Sequence, residues 1–320
     1  MVRRVRVAAA HVAPVFMDAG ASALKAADWI KKAAADGIEL LVFPEVFLPG
    51  FPYWINLYPP LIQAGLNRRY QDCSIEINGP EIQLLCDAAR EHRVAIVMGA
   101  SERGVQSRTC YNSSVLIDRH GKLVGAHRKL KPTYAERYIW GQGDGASLLV
   151  ADLQVGRVGT LACWEHVMNL ARQALIEDGE EIHAALWPAL STMAGFEQAA
   201  DPQIEAMMRN HALTGQCFVV CASSPVTQEM LDFLATELGE QDLLFAGGGW
   251  SAIVHPFAAL IAGPVRGEAE CFVAADIDLD DIKDVKLWVD TTGHYARPDV
   301  LRLQIDRRPL LTVVPMDSHA

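Results

Sequence analysis

Short continuous apolar runs punctuate this chain: Ile38–Phe43 (IELLVF), VAIVMG from Val94, the stretch from Val158 into Ala162, and CFVVC at Cys217–Cys221. Runs of this length, bounded by turn residues, read as strands covered on both faces. Between them lie stretches of helical periodicity. Leu24, Ala27, Ile30 and Ala34 mark an apolar stripe that runs out near Gly37, and a second helix is predicted over Glu81–His92. Val5–Val12 reads as a first strand, and Tyr111–Ile117 with Leu123–His127 as a hairpin around Gly121. Leu148–Leu153 and Arg157–Ala162 form another pair. Later come a helix near Ile204–Leu213, a helix after Pro225, and paired strands at Ser251–Val254 and Cys271–Ile277. Alternating strands and helices, with hairpins mixed in, predict an α/β sandwich with mixed sheets. We find no repeat, low-complexity tract or linker. The expectation is one domain over residues 1–320, of which roughly the last 15 form an irregular tail.

Acidic residues outnumber basic ones, 39 to 28, for a net charge of -11, which argues against a polyanionic or membrane-surface partner. The basic N-terminal stretch resembles a secretion signal at first, but His11 and Pro14 interrupt it, and Arg4 and Arg6 alternate with Val5 and Val7 as in a strand. No run approaches the ~18 apolar residues that cross a bilayer. The expected location is the cytoplasm. Seven cysteines at irregular spacing, with no Cys-x-x-Cys pair, fit neither a disulfide framework nor a structural zinc site. Most sit in apolar runs as small hydrophobes. A nucleophile among them must be singled out by its neighbours.

Three segments carry candidate chemistry. In LLVFPEVFLPGFPYW, Glu45 follows a strand stopped by Pro44 and is flanked by Phe43, Val46 and Phe47. Partial desolvation there raises a carboxyl pKa and suits a general base; a solvated loop acid is the ordinary alternative. In HRKLKPTYAERYIWGQGDG, Lys129 and Lys131 share one face of a strand ended by Pro132, with Glu136 in the turn that follows. A lysine held in a closed pocket offers fixed positive charge, although basic residues near a turn are usually surface residues. The glycines at 141, 143 and 145 form no nucleotide fingerprint. In VGTLACWEHVMNLARQALI, a strand from Val158 runs into Cys163, and a helix is predicted from about His166 with Leu170, Ala174 and Leu175 inside. A thiol at such a turn meets the N–H groups of the helix start, which favour a thiolate. Glu165 and His166 also admit a Cys–His dyad or a metal site, but adjacent residues face different directions.

An acid, a cation and a thiol, each at a strand end, suit thiol attack on a carbon bonded to nitrogen. FPEVFLPGFP (Phe43–Pro52), HRKLKPTYAER (His127–Arg137) and LACWEH (Leu161–His166) resemble the three catalytic blocks of the nitrilase superfamily. WGQGDG (Trp140–Gly145) and GHYARPD (Gly293–Asp299) look like its nitrilase branch. The resemblance spans nearly the whole chain, to about Leu303. It implies an α-β-β-α sandwich, monomers paired into a homodimer, and often a spiral oligomer. It also implies Cys163 as nucleophile, Glu45 as general base, Lys129 as the cation stabilising the intermediate, and Glu136 as the group positioning Lys129. Trp164 is expected to line the pocket, joined by candidates Tyr53, Trp54, Trp187, Met193 and His166. Phe51 and Tyr58 extend this aromatic set. These residues serve equally well as core.

Two departures, Asn169 where many relatives carry proline and Tyr134 where many carry histidine, leave the substrate class open. The chain ends without the long tail many nitrilases carry, so the homodimer is expected more firmly than the spiral. The implied activity is hydrolysis of a small-molecule nitrile to acid and ammonia, with no metal or organic cofactor. An amidase or carbamoylase on the same residues, and a cyanide-converting enzyme, are the neighbouring readings. A non-catalytic scaffold is the remote one.

Overall fold

A computed structural model describes residues 3–105 and 107–310. Its first half runs β1 (Arg4–His11), α1 (Ala19–Ala35), β2 (Leu40–Val42), α2 (Ala64–Cys73), α3 (Pro80–His92), β3 (Ala95–Arg103), β4 (Cys110–Ile117) and β5 (Leu123–Arg128). The second half runs β6 (Val150–Asp152), β7 (Arg157–Ala162), α4 (Asn169–Glu177), β8 (Ile182–Trp187), α5 (Ala200–Gly215), β9 (Phe218–Ser223), α6 (Gln228–Leu238), β10 (Ser251–Val254), β11 (Leu260–Val265), β12 (Cys271–Asp278) and α7 (Asp281–Trp288). They form two six-stranded sheets, in the orders β12-β1-β2-β3-β4-β5 and β11-β10-β9-β8-β7-β6. Each has a parallel centre, β1-β2-β3 in one and β7-β8-β9 in the other, edged by antiparallel strands.

Strand periodicity explains the layering. Alternate residues point to opposite faces, so Val7, Ala9, Leu40, Val42 and Val97 meet Val158, Ala184, Leu186 and Val220 between the sheets. Ala8, Ala10, Leu41, Ile96 and Met98 face outward under α1 and α3. Residues Ala185, Trp187, Val219 and Cys221 lie on the outer face of the second sheet with Ile204, Met208 and Ala212 of α5. The result is the expected α-β-β-α sandwich, and the short apolar runs are its double-covered central strands.

Four expectations need correction. The buried stripe of α1 is Ala19, Ala23, Ala26, Ile30 and Ala33, while Leu24 is exposed. Small side chains let the helix lie close to the sheet, so the bulkier Leu24 turns outward. Likewise Leu170 is exposed, and α4 begins at Asn169 after a separate 3-10 turn over Cys163–Val167, with Ala171, Ala174 and Leu175 inside. Ser251–Val254 does not pair with Cys271–Ile277. It pairs with β11, whose glycine- and proline-containing sequence hid it, whereas β12 pairs with β1 in the other sheet. Lys131 is exposed and does not share the buried environment of Lys129. Of the expected tail, residues 306–310 carry no helix or strand and 311–320 lie outside the described residues. Among the described residues no helix is long and apolar enough to cross a membrane.

Candidate active site

The site forms where chain segments leave the two sheets. β2 ends at Val42, Phe43–Pro44 carries the chain on, and Glu45 follows in a tight turn with Val46 at φ +49°. Lys129 stands one residue past β5, where its N–H donates to the Asn112 carbonyl of β4 at 2.8 Å. Glu136 sits in a 3-10 turn, Tyr134–Tyr138, and its carboxylate accepts from the Thr133 N–H at 2.9 Å. Cys163 opens the 3-10 turn beyond β7, in the left-handed region at φ +54°. A non-glycine residue held there costs about 1–2 kcal/mol. Such strain survives only where the surroundings hold it.

Distant segments converge on a small buried centre. The Lys129 ammonium donates to Glu45 Oε1 at 3.0 Å and to Glu136 Oε2 at 2.8 Å. Asn112 Nδ2 donates to the same Glu45 oxygen at 2.6 Å, while the buried Glu45 Oε2 has no partner among the described residues. One oxygen of each glutamate and Cys163 Sγ lie within 4.8 Å of one another. That spacing suits a cation, and the cation bonded to both carboxylates is the Lys129 ammonium. Burial pushes Glu45 up to about 7, against Lys129, which pulls it down. Burial also works against the charge on Lys129, but Glu136 and Glu45 outweigh it and hold the ammonium well above its usual range. The Cys163 thiol is pushed well above its ordinary value, first by burial, with Lys129 opposing. The turn's N–H of Trp164 works toward the thiolate as expected, but burial outweighs it. The thiol rests protonated beside a carboxylate balanced near neutrality.

Cys163 is not sealed in. It lines a cavity of about 310 Å³ with Phe51, Leu57, Glu136, Trp164, Met193 and Phe196, and the exposed Tyr134 and Leu243 bring that cavity to the surface. Trp164 and Phe196 form one aromatic wall, their rings 5.7 Å apart. The other pocket candidates stand behind it. Tyr53 is buried and its hydroxyl accepts from the Ala189 N–H. Trp54 donates to Asn67 at 2.7 Å and packs edge-on against Tyr70. Trp187 stacks on His166 at 5.4 Å, beside the turn that holds Cys163. Tyr58 donates to the Gly239 carbonyl.

The family model for carbon–nitrogen hydrolases matches residues 6–287. The chain belongs to that family. It is 40% identical over 308 residues to an aliphatic nitrilase of Rhodococcus rhodochrous, covering 95% of this chain and 83% of that one. It is 36% identical over 309 residues to an arylacetonitrilase of Aspergillus niger, covering 95% and 90%. Among solved structures, Saccharomyces cerevisiae Nit3, a member of branch 10 of the nitrilase superfamily, has the same fold. Its TM-score is 0.72 at 18% identity, with 92% of this chain and 97% of that chain covered.

In this carbon–nitrogen hydrolase the site is also built from residues to which the sequence assigned no part in it. Asn112 is an ordinary strand residue until the fold brings it to Glu45. Neither Glu165 nor His166 lines the cavity, so His166 is not the pocket residue expected, and the two side chains part: His166 meets His183 and Trp187, Glu165 meets His127. Its carboxylate accepts from the Leu130 N–H at 2.8 Å, the Ala162 N–H at 3.1 Å and His127 Nε2 at 3.0 Å. One buried acid thus ties the backbone beside Lys129 to the backbone beside Cys163. Gly99 of β3 lies against the Glu45 turn, where an added Cβ would meet the Pro44 carbonyl and come within 2.5 Å of Val46 N. Backbone cannot yield as a flexible side chain does. Gly99→Ala is expected to shift Glu45 and lower kcat about 100-fold, the usual effect of an ångström's misplacement. Wild-type kcat in that variant would show that the close approach is not needed.

Proposed function

We propose that this enzyme hydrolyses an organic nitrile to the carboxylic acid and ammonia, through a thioimidate and then a thioester on Cys163. The reading is carried by the convergence of Cys163 Sγ with one oxygen each of Glu45 and Glu136, within 4.8 Å, in a largely apolar cavity. Glu45 takes the thiol proton as sulfur attacks the nitrile carbon, and the nitrogen gains a proton as the thioimidate forms. Lys129 balances charge on that nitrogen, held in place by Glu136. Glu45 then deprotonates a water that adds to the same carbon, and the C–N bond breaks to release ammonia. A second water cleaves the thioester and restores the thiol. The full sum is one nitrile and two waters to one acid and one ammonia. The names of the relatives support nitriles as substrates, and Phe51, Trp164 and Phe196 suit neutral apolar ones.

Ammonia release, measured side by side from nitriles and matched amides, tests the reading. Faster release from a nitrile is expected; amides alone as substrates would place the enzyme with the amidases. Glu45 must be ionised to act as base, so kcat/KM is expected to rise with pH to a plateau above about 7. A flat profile from well below that value would remove Glu45 from the role. The same reading includes a homodimer, which the exposed apolar Val167, Leu170 and Leu213 support, and light scattering reads its mass directly. All seven cysteines are free, in keeping with a reducing compartment such as the cytoplasm.

A further inference from the structure

We propose that His166 and His183 are positioning residues, which fix the peptide following the nucleophile through a buried proton chain anchored on Glu180. This rests on Cys163 being the nucleophile. His166 Nδ1 lies 2.6 Å from the Cys163 carbonyl oxygen, and its Nε2 lies 2.9 Å from His183 Nε2. His183 Nδ1 lies 2.9 Å from Glu180 Oε2, and His211 Nε2 lies 2.5 Å from Glu180 Oε1. All four side chains are buried. The other ionisable groups acting on the chain are Arg172 of α4 and Cys217, which leads into β9.

Counting protons assigns the roles. A carbonyl oxygen can only accept, so His166 Nδ1 carries a proton. Glu180 is held ionised: burial opposes its charge, but His183 and His211 bring it down to about 2. It accepts from both rings, so His183 Nδ1 and His211 Nε2 are protonated. One further proton bridges the two facing Nε2 atoms, and the pair therefore carries a single imidazolium charge opposite Glu180. With that proton in place, His166 keeps the tautomer that faces Cys163. Among the described residues His183 is the side chain that meets His166 Nε2, so the Nδ1–H bond to Cys163 and the His183 contact together fix the ring.

The consequence reaches the sulfur. A trans peptide points its C=O and N–H in opposite directions. The carbonyl of Cys163 is tied down to His166, while the N–H of the same peptide, from Trp164, is on the side of the Cys163 sulfur and favours its thiolate. Fixing one end of the plane aims the other at the reacting atom and helps to hold the left-handed turn at φ +54°.

The test compares His166→Phe, which keeps a ring against Trp187 but removes both nitrogens, with His166→Asn, whose amide can still donate to the Cys163 carbonyl. H166F is expected to lower kcat about 100-fold, the usual effect of mispositioning, with KM changed less than about threefold. H166N is expected to recover kcat to within about fivefold of wild type. Equal losses in both variants, or wild-type kcat in H166F, would overturn the proposal. If H166F does not fold, His183→Leu and His183→Gln decide. The glutamine amide N–H can still donate to His166, so about a 100-fold loss of kcat in H183L beside recovery to within about fivefold in H183Q supports the proposal, and equal kcat in the two overturns it. Cys163→Ala is assayed alongside. Activity in that variant would refute the nucleophile itself, whereas an inactive C163A beside an unimpaired H166F would refute only the histidine pair.

Discussion

Replacing Cys163 with alanine is expected to reduce nitrile turnover by at least about 10⁴-fold while the protein stays folded, the scale seen when a covalent nucleophile is removed. Cys163 is the one thiol among the residues lining the cavity, and it lies within 4.8 Å of one oxygen each of Glu45 and Glu136, which hold the Lys129 ammonium. Removing a single buried sulfur leaves a small void worth about 1 kcal/mol, so the melting temperature should fall by only a few degrees. Cys163→Ser should fail almost as completely, because a carboxylate with a pKa of about 7 cannot readily ionise an alcohol. Steady-state ammonia release and thermal melting check both halves. Substantial residual turnover in C163A would reassign the nucleophile.

The second large effect concerns Lys129, whose ammonium lies between two buried carboxylates. Lys129→Met keeps most of the side-chain volume and removes the charge. Breaking a buried ion pair from one side costs about 3–5 kcal/mol. Loss of charge stabilisation at the reacting nitrogen should lower kcat by roughly 10³-fold. The pH dependence has a definite sign. Lys129 pulls Glu45 down, so without it the folded-state pKa of Glu45 rises further above its unfolded value. Such a group favours the folded state at low pH, and that contribution is lost as pH rises through the folded pKa. The stability gap between wild type and K129M should therefore be smallest and flat below about pH 7, where Glu45 is protonated in both folded proteins, and widen as pH rises through that value. Urea unfolding at acid and alkaline pH measures the gap. A gap that is constant or narrows with pH would show that the carboxylates do not depend on Lys129.

Much of this was legible in the chain because the chemistry sits where secondary structure ends. Pro44 and Pro132 punctuate the sequence beside Glu45 and Lys129, and an apolar strand runs straight into Cys163. The double-covered strands were equally plain, since a run such as IELLVF has no polar face to offer solvent. Long-range convergence is another matter. Asn112 and Gly99 gain their roles only from neighbours tens of residues away, and nothing in their local pattern marks them; Glu165 stands in a marked block, but its ties to His127 and Leu130 do not show there. Pocket walls were harder still. Tyr53, Trp54 and Trp187 are aromatic residues near the right motifs, but an aromatic ring packs a core as readily as it lines a cavity, and these three pack. Helix faces were misplaced where alanine rather than leucine meets the sheet, because the bulkiest apolar residue is a poor guide when close approach decides packing.

The covalent step can be observed directly. Wild-type enzyme turning over an arylaliphatic nitrile is quenched in acid within a few turnovers, digested, and its cysteine peptides weighed. The expected result is a substrate-derived imidoyl or acyl group on the Cys163 peptide, present during turnover and gone once the nitrile is consumed. An adduct on any other thiol, or steady ammonia release with the Cys163 peptide unmodified throughout, would contradict the assignment.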